Sequence, residues 1–266
     1  MNFEGKRVWI TGASSGIGAG LARAFGGAGA KVILSGRDRD ALARVAAGVQ
    51  DPLILPFEVT DYAALPGIVA EAGHVDVLIL NAGISQRGLA EDTVMDVYRT
   101  IMEVDYFAPV ALAKLVLPQM LVRGSGHLAV TASVAGKVGS PQRTGYCGAK
   151  HAVMGFFDAL RTEVEHRGVQ VTTIVPGFVK TEIGARALTA DGSVKGAGED
   201  DVDAGITPDE AADIVLAGFE AGAREIAVGA TAGPEMALLD LKRQNPEQLF
   251  DLMSQMGEAV VRKFHG

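Results

Sequence analysis

Short apolar runs alternate with longer amphipathic stretches along most of this chain. The runs at 6–10, 31–34, 53–57, 75–80, 126–131, 169–175 and 225–229 are rich in Val, Ile and Leu and read as strands. Between them apolar residues return at helical spacing. The first such pattern runs through Leu21, Ala24 and Phe25 and stops at Gly26-Gly27-Ala28-Gly29. Further helices are predicted over 38–49, 62–72, 93–122 (in two pieces), 146–166 and 208–221. Strands that alternate with helices imply a doubly wound α/β fold, a central parallel sheet of about seven strands covered on both faces. The whole stretch 1–266 reads as a single domain, with no internal repeat. Right-handed crossovers put the ligand crevice at the carboxyl ends of the strands, where Gly12, Asn81, Ser133 and Pro176 fall.

Composition narrows the class. A hydrophobic content of 48% supports a large core and excludes a disordered chain. The net charge of −8 argues against a nucleic-acid partner and against an anionic membrane surface. Lys114, Pro118 and Gln119 interrupt the most apolar stretch, so no membrane span is expected. The opening Met1-Asn-Phe-Glu-Gly carries no secretory pattern, and the single cysteine, Cys147, has no partner for an intramolecular disulfide. A cytoplasmic location is the expectation. The His residues are scattered without metal-ligand spacing, so no metal is expected.

Two constellations carry chemistry. Thr11-Gly-Ala-Ser-Ser-Gly-Ile-Gly18 lies between the first strand and the first helix. Backbone N–H groups at such a helix start point at a pyrophosphate, and the helix dipole favours its charge. Gly12 allows the tight turn, Gly16 the approach of the phosphate and Gly18 close helix packing; Ser14, Ser15 and Ile17 complete the loop. Further on, Tyr146 and Lys150 project from one face of a helix. An ammonium there is expected to pull the phenol pKa down from about 10 and make a proton donor and acceptor. Ser133, upstream of the pair, is a candidate to hydrogen-bond the same substrate oxygen.

The spacing Gly12-x-x-x-Gly16-x-Gly18, with Asn81-Ala82-Gly83, Ser133, Tyr146-x-x-x-Lys150 and Pro176-Gly177, resembles the short-chain dehydrogenase/reductase family from about Val8 to about Gly229. The resemblance implies an oxidoreductase that moves a hydride between a nicotinamide cofactor and a carbonyl or alcohol. It implies Tyr146 as general acid and base, with Lys150 lowering its pKa and holding the nicotinamide ribose. Ser133 would polarise the substrate oxygen. Val179 and Thr181, after Pro176-Gly177, would lie near the carboxamide. Two positions depart from the family pattern. Glu58-Val59 stands where Asp-Val is common, at the adenine. Asp105 stands where a catalytic Asn is common; it keeps the backbone carbonyl that would hold a relay water, while its carboxylate would weaken the pull of Lys150 on Tyr146.

The second strand ends in Ser35-Gly-Arg37, with no acid to accept the adenosine ribose hydroxyls. A guanidinium suits a 2′-phosphate, so NADP(H) is favoured over NAD(H), with Asp38 and Asp40 read as helix-start carboxylates. Ser85, Gln86, Val134, Gln142 and Phe178 are expected on the substrate side, a set without a cationic clamp that suits an uncharged, partly apolar carbonyl or alcohol. Residues 182–207, Gly-rich with acidic Glu199-Asp-Asp201, read as a mobile lid with a solvent-exposed tip. Residues 234–266 read as amphipathic helices that cover the pocket or a neighbouring subunit. Phe156, Phe157, Leu160 and Val164 read as core or subunit interface, and the resemblance implies a homodimer or homotetramer through the helices near 93–122 and 146–166. Two other readings stay open: an NAD-linked alcohol dehydrogenase, and a catalytically weakened NADPH-binding sensor, for which Asp105 is the only pointer.

Overall fold

The computed structural model describes residues 2–230 and 233–265. Met1 and Gly266, at the ends of the expected domain, and 231–232 lie outside the described residues. The elements run in the alternating order β1 Arg7–Thr11, α1 Gly16–Gly27, β2 Lys31–Ser35, α2 Arg39–Ala46, β3 Leu53–Ile54, α3 Leu65–Ala72 and β4 Val77–Leu80. After β5 Gln86–Arg87 come α4 Met95–Met102, a π turn Glu103–Phe107 and α5 Ala108–Arg123. Then follow β6 Gly126–Thr131, α6 Thr144–Val164, β7 Val169–Pro176, β8 Leu188–Thr189, α7 Pro208–Glu220, β9 Glu225–Val228, α8 Pro234–Gln244 and α9 Pro246–His265.

The central sheet has seven strands in the order β3-β2-β1-β4-β6-β7-β9, all parallel, as a doubly wound fold requires. Strand direction of growth reverses between β1 and β4, and the crevice opens at their carboxyl ends. One core face packs Trp9, Leu78, Leu128, Val153 and Phe157; the other packs Phe3, Ile10, Leu21, Phe25, Val215 and Phe219. This double burial is why the strands read as unbroken apolar runs rather than alternating ones.

Several boundaries differ from the sequence expectation. β3 keeps only Leu53–Ile54 of 53–57; Pro56 has no N–H to give a ladder. α3 starts at Leu65 rather than 62 because Asp61 holds a turn, its carboxylate accepting from Ala64 N, and Pro66 sits in the first helical turn. Asp38 is the N-cap of α2, accepting from Ala41 N at 2.9 Å, and Thr207 and Glu210 form a capping box on α7. The break expected in 93–122 is the π turn, where Ala108 N donates to Glu103 O.

Candidate active site

Thr11 and Asn81 tie the crevice together. Asn81 N and Ala82 N both donate to Thr11 Oγ1, at 3.0 and 3.1 Å. The Asn81 amide donates to Thr11 O at 3.2 Å and accepts from Thr131 Oγ1 at 3.1 Å. One side chain thus fixes the ends of β1, β4 and β6 against each other.

The Gly-rich turn fits a dinucleotide phosphate. A Cβ on Gly18 would lie 2.2 Å from Gly12 O, and one on Gly12 2.8 Å from Ala82 Cα, so both contacts need glycine. Gly16 has φ +53 and faces the Thr181 methyl. Ser15 caps α1 by its backbone position but makes no side-chain cap bond, and the first turn holds no acid. The first N–H groups of α1 are therefore left for an external anion. Ser14 lies against Gly36, and Ala13 N donates to Ser35 O at 2.9 Å, which joins this turn to the end of β2.

At the end of β2, Ser35 is fully buried: Trp9 Nε1 donates to its hydroxyl, which donates to Leu55 O. The position that would carry a ribose-binding acid is thus part of the core. Arg37 is 77% exposed and lies 3.6 Å from Glu58, which is itself 41% exposed. Val59 lines a small apolar cavity with Thr11, Leu80, Ala82, Val104 and Leu112.

Tyr146 and Lys150 are buried on α6, with the Lys150 Nζ 5.6 Å from the phenol ring centre. Lys150 Nζ donates to Thr131 O at 3.1 Å and lies 3.5 Å from Asp105 Oδ2. Ser133 is in reach of the Tyr146 hydroxyl, and its own hydroxyl donates to Pro176 O at 3.3 Å. Ser133, Tyr146 and Lys150 thus converge, and the loop that begins at Pro176-Gly177 closes on Ser133. Burial raises the Tyr146 pKa above its usual 10, and the Asp105 charge adds to that; Lys150 and Ser133 pull the other way without prevailing. The expected downward shift is therefore overturned in the free protein, because desolvation of the phenolate exceeds the attraction of the ammonium. The buried phenol holds its proton at neutral pH, the form that donates to a carbonyl.

The loop after β7 is laced to its surroundings. Val179 is buried, and Ile206 N donates to Phe178 O at 3.1 Å. Glu235, at the start of α8, is buried and accepts from Phe178 N at 3.3 Å. This bond ties the loop after β7 to α8; nothing local in the sequence pointed to Glu235, which lies 57 residues from Phe178. The C-terminal helices lie on the same side, with Leu249 buried, Leu238, Leu239 and Leu241 half-buried against the core, and Gly257 beside Pro141.

Of the residues expected on the substrate side, Val134 is buried, while Phe178 and Gln142 are half-buried. Gln142 takes a left-handed φ of 63, and its carbonyl accepts from Gly88 N. Ser85 and Gln86 are buried and bound within the protein: Ser85 Oγ accepts from Arg87, and the Gln86 side chain accepts from Gly145 N and donates to Thr93. Cations outside the expected set lie next to it. Arg87 pairs with Asp200 through two hydrogen bonds of 2.9 and 2.6 Å, both side chains buried, and Lys195 and Arg143 lie 3.2 and 3.9 Å from the same carboxylate. Burial alone would raise the Asp200 pKa, but Arg87, Lys195 and Arg143 bring it down to about 2. The acidic tip is therefore turned inward at Asp200, while Asp201 pairs with Arg143 at 2.9 Å.

A dinucleotide crevice at the switch of a doubly wound sheet, with a buried Tyr and Lys and a half-buried Ser at its edge, defines a nicotinamide-dependent oxidoreductase. The profile described as short chain dehydrogenase matches residues 6–191. The chain belongs to the short-chain dehydrogenase/reductase family. It is 40% identical to the dehydrogenase/reductase SDR family member 7B of Bos taurus, across 97% of this chain and 83% of that protein. Among solved structures, a short chain dehydrogenase from Burkholderia cenocepacia J2315 in complex with NADP has a TM-score of 0.81 at 25% identity, covering 95% of this chain and 99% of that one. A Burkholderia phymatum member in complex with NAD has a TM-score of 0.80 at 24% identity, covering 93% and 96%; it speaks for the fold alone. The protein is an oxidoreductase acting with NAD(P). Among the described residues, no helix is long and apolar enough to cross a membrane.

Proposed function

We propose that this protein is an NADP(H)-dependent carbonyl reductase and alcohol dehydrogenase for uncharged, partly apolar substrates. The observation that carries the reading is the convergence of Ser133, Tyr146 and Lys150 beside the Gly-rich turn. The dinucleotide would supply or accept the hydride. Residues Gly12 to Gly18 would hold its phosphates, Arg37 its 2′-phosphate, Glu58 and Val59 its adenine end. Asn81, Ala82 and Gly83 would line its central part, and Lys150, Pro176, Gly177, Val179 and Thr181 its nicotinamide end. Tyr146 gives its proton to the carbonyl oxygen in reduction and recovers it in oxidation, and Ser133 donates to the same oxygen. Asp105 offers its backbone carbonyl to a water of the proton path.

Support for NADP(H) comes from the end of β2. Ser35 leaves no carboxylate there, and Arg37 is solvent-accessible with one half-exposed carboxylate beside it. A dianionic phosphate competes well with that single carboxylate. Support for an uncharged substrate comes from Arg87, Arg143 and Lys195, whose charges are engaged by Asp200 and Asp201. Phe178, Val134 and Gln142 then set the character of the pocket wall.

Cofactor absorbance against uncharged ketones and aldehydes, with NADPH and NADH in parallel, tests this. Turnover with NADPH is the expected result. Arg37→Ala should raise KM for NADPH about 10- to 100-fold, the worth of charge-assisted hydrogen bonds, and leave NADH within a few fold. An equal change for both, or none, removes the phosphate contact. NADPH binding without turnover on any carbonyl would favour the sensor reading.

We also infer a homo-oligomer, cytoplasmic, built through α4, α5 and α6. Met95, Phe107, Leu115 and Val122 are exposed along α4, the π turn and α5, and Phe156 stands edge-on to Tyr106 at 6.5 Å beside them. Light scattering at micromolar concentration should give a dimer or tetramer mass; a monomer mass would rule this assembly out.

A further inference from the structure

The π turn Glu103–Phe107 sets Asp105 fully inside the protein, 1% exposed, between the main chain of 83–84 and α6. Its Oδ1 accepts from Ile84 N at 2.9 Å. Its Oδ2 has no hydrogen-bond donor and faces Lys150 Nζ at 3.5 Å. Gly83 roofs the pair: a Cβ there would lie 3.1 Å from Asp105 Oδ1 and 3.3 Å from Lys150 Nζ. The ammonium is 4% exposed as a residue and bonds otherwise to the Thr131 carbonyl, which is neutral. The carboxylate is thus aimed at the cation that acts on Tyr146.

We propose that Asp105 is a positioning residue whose carboxylate shares the Lys150 charge and so biases this site toward carbonyl reduction. The inference rests on the reading of Tyr146 as proton donor. A lone ammonium in a low-dielectric pocket stabilises a neighbouring phenolate strongly. An ammonium with a carboxylate 3.5 Å away presents a dipole instead, and its field at the phenol is weaker. The phenol then keeps its proton to higher pH, which maintains the donor for reduction and delays the base for oxidation.

Burial raises the Asp105 pKa above its usual value, against the pull of Lys150 and the Ile84 N–H, so its charge acts on Lys150 above that raised pKa. The other charged and titratable groups around it are few. From α6 come Lys150 and Tyr146, with Arg143 at the start of that helix; Ser133 faces Tyr146 from the turn after β6. The 83–84 segment offers the Ile84 N–H, and α4 offers apolar Val97 and Ile101, packed with Ala149. Lys150, Arg143 and Ser133 all favour the phenolate, and only burial and Asp105 oppose it.

The test is Asp105→Asn, which keeps the backbone carbonyl, the side-chain size and the acceptor for Ile84 N while removing the charge. kcat/KM is measured against pH in both directions on one ketone and alcohol pair. The rise of oxidation with pH, and the fall of reduction, should both move down by about 1–2 units, the scale of a nearby charge. The phenolate absorbance difference between each form and its Tyr146→Phe counterpart should move by the same amount, and this reads without turnover. Loss of rate at every pH with both curves unmoved would mean a purely structural role and overturn the inference. Wild-type curves that persist unchanged in Tyr146→Phe would instead defeat the reading of Tyr146 as proton donor.

Discussion

Tyr146→Phe should lower kcat about 10²- to 10⁴-fold in both directions, the range that a positioned general acid or base contributes, with NADPH affinity changed only a few fold. The separation is expected because the hydroxyl is the only atom removed. The ring keeps its place on α6, buried to 9% exposure, and Lys150 keeps its bond to Thr131 O. The phosphate turn lies on α1, on a different element, and its backbone donors do not involve the phenol. Ser133 Oγ, held by the Ala135 N–H, can turn its one proton from Pro176 O to a carbonyl, so residual turnover should survive. Stopped-flow hydride transfer at saturating cofactor makes the measurement. A rate within about tenfold of wild type would require the proton to come from elsewhere, a bound water or Ser133, and the assignment of Tyr146 would be wrong. A pH profile belongs with it: since the phenol pKa is raised by burial, wild-type reduction should be insensitive to pH through neutrality, while oxidation should climb into the alkaline range.

What could be read from the sequence was what depends on local spacing. Gly12, Gly16 and Gly18 are set by a strand-to-helix turn, and Tyr146 and Lys150 by one helical turn, so periodicity is enough to bring each set together. The parallel order of the sheet followed from alternation of strand and helix. What could not be read was set by contacts across the fold. The pull of Lys150 on Tyr146 is a near neighbour's effect and visible in the motif; burial and the Asp105 charge, which reverse the shift, belong to packing. A break within 93–122 could be expected, but not that it takes the form of a π turn at Glu103–Phe107. Glu235 reaches Phe178 across 57 residues, and Arg87 reaches Asp200 across 113, so neither had a local signal. An acidic triplet in a Gly-rich segment looks like solvated surface until a buried guanidinium is found beneath it.

That buried pair carries the second large expected effect. Asp200→Asn should increase cleavage by trypsin within 182–207 about 10²- to 10³-fold, because breaking a buried ion pair by removing one partner costs about 3–5 kcal/mol. Arg87 would be left uncompensated: its other acceptors, Ser85 Oγ and Gln86 O, are neutral. The least costly response is for the segment to open and hydrate the guanidinium, rather than for the sheet to unfold. Lys195 and Arg186 are then the exposed cleavage sites, and when opening is fast the cleavage rate follows the open population. The double change Arg87→Met with Asp200→Leu removes both charges and should restore most of the protection, since apolar replacement of a whole buried pair is often neutral or better. Acid should act more weakly than mutation. The Asp200 pKa is depressed to about 2 from 3.8, so its contribution is complete above about pH 4 and is lost only as pH falls through about 2. If Asp200→Asn were cleaved within threefold of wild type, the segment would already be open in solution. Arg87, Arg143 and Lys195 would then face the crevice unpaired, and the case for an uncharged substrate would fall with the clamp.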